Sequence, residues 1–382
     1  MEILALITMA LFFIFCQEYI LVKYLLHKLD YSCKFSVTKA YEGDNIFFEE
    51  VIHNKKIIPV PWIKAEIYTS RWLEFANKDI VTAQESRFIT SNFYLRSYQK
   101  TTRRWKVKCL KRGVYDIDKV TLVGGDLLGI FPSTSSVLST SAELLVYPAT
   151  IRLEKSFVPA SRFLGDTIVK RWIIDDPFIF AGTRQYTPGD ALNQIHWKAT
   201  AKQGSLMVRK NDFTTHLRLA IILNIQSQDS EPDDVVYKEY IEFGIKAAAT
   251  ILDKSRQEGL SVRFASNGST VGGTEKVIFT KEANSKEHIN DLMETVSKLR
   301  LKKNQEFESF LEEISRHYEN TEVIIMTSYL TDKICEIISG IKRVNNSVSI
   351  IGLNAINISG TQKGYDGLDI YIPRFSQGEL RK

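Results

Sequence analysis

Leu217-Arg218-Leu219-Ala220-Ile221-Ile222-Leu223-Asn224-Ile225-Gln226-Ser227-Gln228 is the stretch on which the fold turns. From Leu217 to Ile225 it is an almost continuous apolar run, the pattern of a strand buried on both faces of a sheet. Downstream, runs of the same kind alternate with helical patterns. Val235–Glu258 reads as a long helix ended by Gly259, Leu260–Ala265 as a second strand and Lys276–Phe279 as an edge strand. Helices are expected over Ser285–Leu301 and Glu306–His317, then strand Glu322–Thr327, helix Thr331–Val344 and strand Val348–Leu353, with Leu368–Ile372 available to close the sheet. This rhythm predicts a mostly parallel sheet with both faces covered, whose ligands lie at the carboxyl ends of its strands. Asp229, Glu231, Asp233 and Asp234 form an acidic loop just beyond the first strand, read as a solvated charge run.

Upstream the period changes to two. Ile46, Phe48 and Glu50 alternate with Phe47, Glu49 and Val51, and short runs recur at Ile63–Tyr68, Phe88–Tyr94, Arg103–Cys109 and Val114–Val123. Glu42-Gly43-Asp44 and Asn54-Lys55-Lys56 supply turns, and Pro59 and Pro61 bracket an extended entry. Several short strands at near-regular spacing predict an immunoglobulin-like β-sandwich. The glycines of Lys111-Arg112-Gly113-Val114-Tyr115 and Gly124-Gly125-Asp126-Leu127-Leu128-Gly129 read as turn residues with positive φ. No Lys-Ser or Lys-Thr follows them, which excludes a P-loop.

Between the two regions, Thr187-Pro188-Gly189-Asp190 reads as a type II turn with Asp190 at a helix N-cap, followed by a helix over Ala191–Gln203 that Gly204 stops. Leu192, Ile195 and Ala199 share a face of that helix, Trp197 and Lys198 leave it on different sides, and Arg184 is placed to lock the turn through Asp190. His196 with Asp190 is the only pairing here that suggests acid–base chemistry. No nucleophile on a strained turn accompanies it, so a hydrolase of unknown substrate ranks last among the functions considered.

Arg184-x-Tyr186-x-Pro188-Gly189-Asp190 followed by Ile195-x-Trp197-Lys198-x-x-Ala201 closely resembles the signature of the domain of unknown function 58 family. Glu42-Gly43-Asp44, Pro59-Val60-Pro61-Trp62, Lys111–Tyr115, Gly125–Gly129 and Val146-Tyr147-Pro148 are similar to that family's upstream pattern. The resemblance implies a membrane-anchored protein with a von Willebrand factor A-like domain, a MoxR-type AAA+ ATPase as protein partner and no established enzymatic activity. Such a domain carries Asp-x-Ser-x-Ser at the end of its first strand, where hard oxygen ligands hold a magnesium-like ion with a distant Thr and Asp. Asn224-x-Gln226-x-Gln228 stands there in this chain, with Thr327, Ser328 and Asp332 on a later strand end. Neutral amides do not offset the dehydration of a divalent ion, so the rim is expected to be a degenerate adhesion site without metal or cofactor. A metal-dependent adhesion domain is the alternative.

The first residues decide location. Ile3–Cys16 is apolar apart from Thr8, and apolar character resumes over Tyr19–Leu26, broken by Lys23. A helix from Ile3 to Leu26 would be about 36 Å long, enough to cross a hydrocarbon core of about 30 Å. Glu18 is costly in hydrocarbon, which places it near an interface. Glu2 in place of basic residues, and the lack of a small-x-small site, argue against a cleaved signal peptide. Lys23, His27, Lys28, Lys34 and Lys39 all follow the segment, so a single-pass cell-membrane protein with its soluble domains in the cytoplasm is expected. Fifty basic and 45 acidic residues are too balanced for a nucleic-acid-binding surface. Cys16, Cys33, Cys109 and Cys335 have no paired spacing, so neither a zinc site nor a disulfide framework is written. The expected organisation is an anchor over 1–28, a sandwich over 32–150, a linker with the motif over 151–213 and the α/β domain over 214–382, together an α+β multidomain chain with a Rossmann-like second domain.

Overall fold

A computed structural model describes residues 2–76, 81–83, 86–125, 131–151, 175–187, 195–213, 218–273, 276–344, 346–354 and 369–371. The expectations placed on Pro188, Gly189, Asp190, Leu192 and residues 126–129 lie outside them. The chain divides into two compact units, Met1–Ile151 with Thr270–Gly272 and Met293–Arg300, and the remainder.

The first unit opens with helix α1 (Glu2–Tyr24), whose segment Leu6–Tyr24 is long and apolar enough to cross a membrane, as an anchor or a signal sequence would be. Two sheets follow. One has strand order β1 (Leu29–Phe35), β3 (Asn45–Asn54), β8 (Lys100–Cys109), β5 (Leu73–Phe75). The other runs β2 (Lys39–Tyr41), β10 (Thr134–Tyr147), β9 (Gly113–Gly124), β4 (Val60–Ser70), β7 (Ser86–Leu95), β6 (Val81–Ala83). Neighbours are antiparallel except β2 and β10. Both sheets feed one core, so this unit is a β-sandwich built from period-two alternation. Along β3 the inward set is Ile46, Phe48, Glu50, Ile52 and Asn54. Glu50 is wholly buried in that set, and its carboxylate accepts from Tyr31 Oη at 2.9 Å, Ser91 Oγ at 2.8 Å and Trp105 Nε1.

Gly43 and Gly113 do adopt positive φ, +97° and +146°. Gly124 is needed for another reason, close approach. A Cβ there would lie 2.4 Å from Leu25 Cδ2 and 3.1 Å from the Trp62 carbonyl oxygen. Leu25, just past α1, thereby enters the sandwich core, worth about 2 kcal/mol of apolar burial. Lys56 completes the junction: buried itself, it donates through Nζ to the carbonyls of Leu25 at 2.6 Å and His27 at 3.0 Å. A cation at the carbonyl end of a helix is stabilised by the helix dipole.

The second unit holds an antiparallel pair, β11 (Asp175–Gln185) with β12 (Met207–Phe213), and between them helix α2 (Trp197–Gln203). Its larger sheet has the order β16 (Ile278–Phe279), β14 (Ser261–Ser266), β13 (Arg218–Leu223), β18 (Glu322–Thr327), β19 (Ser347–Gly352), β20 (Asp369–Tyr371). All neighbours are parallel except β14 and β16. Ala220 and Ile222 of β13 face the core made with helices α5 (Phe307–Ser315) and α6 (Asp332–Arg343). Helix α3 (Lys238–Glu258) packs closely through Gly244, where a Cβ would lie 2.9 Å from Leu223 Cδ1 and 2.8 Å from Leu353 Cδ1.

Two expected helices are shorter than their patterns suggested. The helix expected over Ser285–Leu301 is α4 (Lys286–Ser297), because Leu299-Arg300-Leu301-Lys302-Lys303 alternates and forms strand β17 (Leu299–Lys303) against β15 (Gly268–Thr270). The helix expected from Ala191 begins at Trp197, because Ile195 is bridged to Val208 instead.

Burial lowers the Lys56 pKa to about 8. Unfolded, a lysine titrates near about 10.4, so between these values the unfolded chain binds more protons and stability rises with pH. Urea unfolding of the full chain in detergent micelles from about pH 7 to about pH 10 should show that rise, and Lys56→Met should remove it. Identical pH slopes in the two proteins would contradict the buried cation.

Candidate functional site

The polar site lies where β13 ends. Asn224 N makes the last ladder bond, to Met326 O at 2.9 Å. The next three residues leave the sheet while still buried, and buried N–H groups must find acceptors. Side chains supply them: Ile225 N donates to Asn267 Oδ1 at 2.8 Å, Gln226 N to Asn224 Oδ1 at 2.9 Å and Ser227 N to Glu231 Oε2 at 2.7 Å.

The same side chains bind one another. Gln226 Oε1 accepts from Phe307 N at 2.7 Å, satisfying a first-turn N–H of α5, and from Asn267 Nδ2 at 3.2 Å. Gln226 Nε2 donates to Glu306 Oε2 at 2.8 Å, and Asn267 Nδ2 also donates to Gln305 O at 3.1 Å. Lys303, first, and the Gln226 amide hold the Glu306 carboxyl below its ordinary pKa. Asn224 Nδ2 donates to Thr327 Oγ1 at 3.1 Å, and that hydroxyl donates to Tyr329 O at 2.8 Å. Burial raises the pKa of the Tyr329 phenol, keeping it neutral. Asn224, Gln226, Ser227, Asn267 and Thr327 are wholly buried.

The structure therefore brings Asn224, Gln226 and Thr327 together. Gln228 is half-buried, and Asp332 is exposed in the first turn of α6, behind the N-cap Thr331, whose hydroxyl accepts from Ile334 N at 3.2 Å. Ser328 is buried beside Thr327, and among the described residues its hydroxyl has no hydrogen-bond partner. The expectation of a solvated acidic loop holds for Asp229, Asp233 and Asp234 and fails for Glu231. Glu231 is buried because its carboxylate also accepts from Ser227 Oγ and from Val236 N at 2.6 Å, folding the loop over the strand end. Sequence reasoning missed Asn267, Glu231 and Glu306. Asn267 directly follows β14, the neighbouring strand, and that position was the available signal.

A divalent ion would need several free, preferably anionic, oxygens. Both acceptor directions of Gln226 Oε1 are taken, Asn224 Oδ1 accepts a backbone N–H, and Thr327 Oγ1 gives its hydrogen to Tyr329 O. Among the described residues no group of three or more His, Cys, Asp or Glu side chains is placed to hold a metal. These residues do not fit an adhesion-site ion.

The motif stands apart from this network. Arg184 is exposed and donates to Gln185 O at 3.2 Å and Thr187 Oγ1 at 3.3 Å, while its expected partner Asp190 lies outside the described residues. Tyr186 is half-buried at the end of the pair, and Tyr186 N donates to Leu206 O at 2.9 Å. Ile195 is buried, Lys198 and Ala201 are exposed, and Trp197 is 69% exposed. His196 caps α2, its Nδ1 accepting from Ala199 N at 3.1 Å, and Gly204 ends the helix at φ +70°.

Replacing the Gln226 amide by an apolar isostere strands Phe307 N, so Gln226→Leu should lower stability by about 2–3 kcal/mol in urea unfolding. Gln228→Leu should stay within about 0.5 kcal/mol. Equal small effects would show that the network is not closed as described.

Comparison with known proteins bears on identity. The chain is 23% identical over 251 residues to the uncharacterized protein YeaD of Bacillus subtilis, an alignment spanning 65% of this chain and 58% of the relative. Similar solved structures include a non-cellulosomal cohesin from Archaeoglobus fulgidus (10% identity, 36% of this chain and 99% of that one, TM-score 0.22). Another is the CARDB domain of the PF1109 protein from Pyrococcus furiosus (11%, 31% and 90%, TM-score 0.21). Scores this low carry no argument. Residues 182–358, which span the motif, the closed strand end and most of the parallel sheet, match the model of the family described as "Protein of unknown function DUF58". That match over 182–358, with the distant similarity to YeaD, supports assignment of the chain to the DUF58 family.

Proposed function

We propose that this protein is a membrane-anchored, non-enzymatic adaptor that binds a protein partner through the exposed face of its family motif. One observation carries the reading: the motif's indole lies on the surface. Trp197 is 69% exposed, with Arg184 and Lys198 exposed on the same β11–α2 segment. Tryptophan and arginine dominate the binding energy of protein interfaces.

The strand end supports the same reading from the other side. Apart from the Ser328 hydroxyl its polar groups are committed to each other, so neither ion chemistry nor substrate contact recommends it as the working surface. In the order in which the chain forms them, the strands of the larger sheet lie 3-2-1-4-5-6 with the third antiparallel. That order favours a Rossmann-like, von Willebrand factor A-type domain whose adhesion site is degenerate. The family resemblance suggests a MoxR-type AAA+ ATPase as the partner, and the lysines after α1 suggest that both meet on the cytoplasmic side.

Capture of the tagged full chain from its native membranes, with and without chelator, tests this. The expected result is an AAA+ ATPase recovered equally in both and lost with Trp197→Ala, while the urea midpoint of that variant stays within about 0.5 kcal/mol of the parent. Recovery unaffected by Trp197→Ala, or abolished by chelator, would refute the proposal.

A further inference from the structure

The structure places a side chain of the sandwich unit against α1 well above the helix's last turn. Phe131, which precedes β10, has its ring 5.0 Å from that of Phe15 and 6.0 Å from that of Tyr19, centroid to centroid. Tyr19 is five residues and Phe15 nine residues before Tyr24, the last residue of α1. At 1.5 Å per residue these positions lie about 8 and about 13 Å along the axis from the helix end. Interfacial elements bury their apolar faces about 5–10 Å into the boundary between headgroups and acyl chains.

The surroundings have the composition of that boundary. Tyr24 and Trp62 are each about two-fifths exposed, and Trp62 lies against Gly125, close to Ser133. Lys23 sits over the Tyr19 and Tyr24 rings at 5.9 and 5.7 Å. Tyrosine and tryptophan concentrate at headgroup level, and a lysine there reaches toward anionic phosphates. Glu18, by contrast, is only 3% exposed, so protein shields this carboxylate at the depth where hydrocarbon would penalise it.

We propose that Phe131, just before β10, is a second membrane-contacting element, seated in the acyl boundary of the bilayer that α1 crosses and flanked by Trp62, Tyr24 and Lys23. α1 is then not a tether on a free linker, since Leu25 and Lys56 join it directly to the sandwich and Phe131 braces it within the lipid. The inference rests on reading α1 as a membrane anchor, and the experiment separates the two.

The full chain is made in a Cys16→Ser background, where Cys33, Cys109 and Cys335 are buried and unreactive. Single thiols introduced as Phe12→Cys or Phe131→Cys carry an environment-sensitive fluorophore. The proteins are reconstituted in nanodiscs of phosphatidylcholine and phosphatidylglycerol, with and without lipids spin-labelled along the acyl chain. Blue-shifted emission that spin-labelled lipid quenches at both positions is the expected result. Quenching at Phe12→Cys with solvent-like, unquenched emission at Phe131→Cys overturns the seating and leaves the anchor intact. Unquenched emission at both positions overturns the anchor and the seating together. A third protein labelled at Tyr68→Cys, an exposed site on β4, must remain unquenched; quenching there would show that the whole sandwich lies on the lipid and overturn the specific seat.

Discussion

Three backbone N–H groups leave the edge of a parallel sheet while still buried, and the interactions that satisfy them organise the second unit. A buried donor without an acceptor costs about 1–3 kcal/mol, so Ile225, Gln226 and Ser227 together could cancel much of a domain's stability. The chain answers with Asn267, Asn224 and Glu231, and those acceptors fix what surrounds them. Asn267 ties the second strand's exit to the first, Gln226 seats the start of α5, Thr327 links the fourth strand, and Glu231 folds the acidic loop back. An anionic metal cage and this amide lattice compete for the same oxygens, and the lattice has them.

Under the proposed adaptor role, that outcome moves the working surface from the strand end to the motif segment. A surface suited to partners needs exposed aromatic and guanidinium groups on a rigid support, and the motif segment has them at Trp197 and Arg184. Its support is local: Ile195 is buried on β12, His196 caps the short helix, and Gly204 closes it. In the first unit the corresponding constraint is the junction between helix and sandwich, where Gly124 makes room for Leu25 and a buried lysine holds the carbonyls of the turn just past the helix. Both solutions spend polar side chains on backbone groups that regular structure leaves unpaired.

Much of this was legible in the residues alone. Period-two alternation placed Ile46, Phe48 and Glu50 on one face, and they are the inward set of β3, although alternation does not say that three donors would gather around Glu50. The apolar run before Asn224 announced a central strand, and the loss of carboxylate and hydroxyls at 224, 226 and 228 argued against an ion. What sequence could not supply was the contact between distant residues. Glu231 reads as one acid in a charged loop until Ser227 and Val236 are seen to need it, and Gly124 reads as a turn residue until Leu25 is found above it. The helix expected through Leu301 failed for a related reason: Leu299 and Leu301 suit either period, and pairing with β15 selects the strand.

Amide hydrogen exchange at Ile225, Gln226 and Ser227, followed with and without magnesium, manganese and calcium, tests the closed strand end most directly. Protection comparable to that of the core strands, unchanged by any of the ions, is the predicted result. Rapid exchange at these three amides, or protection that appears only when an ion is added, would contradict it.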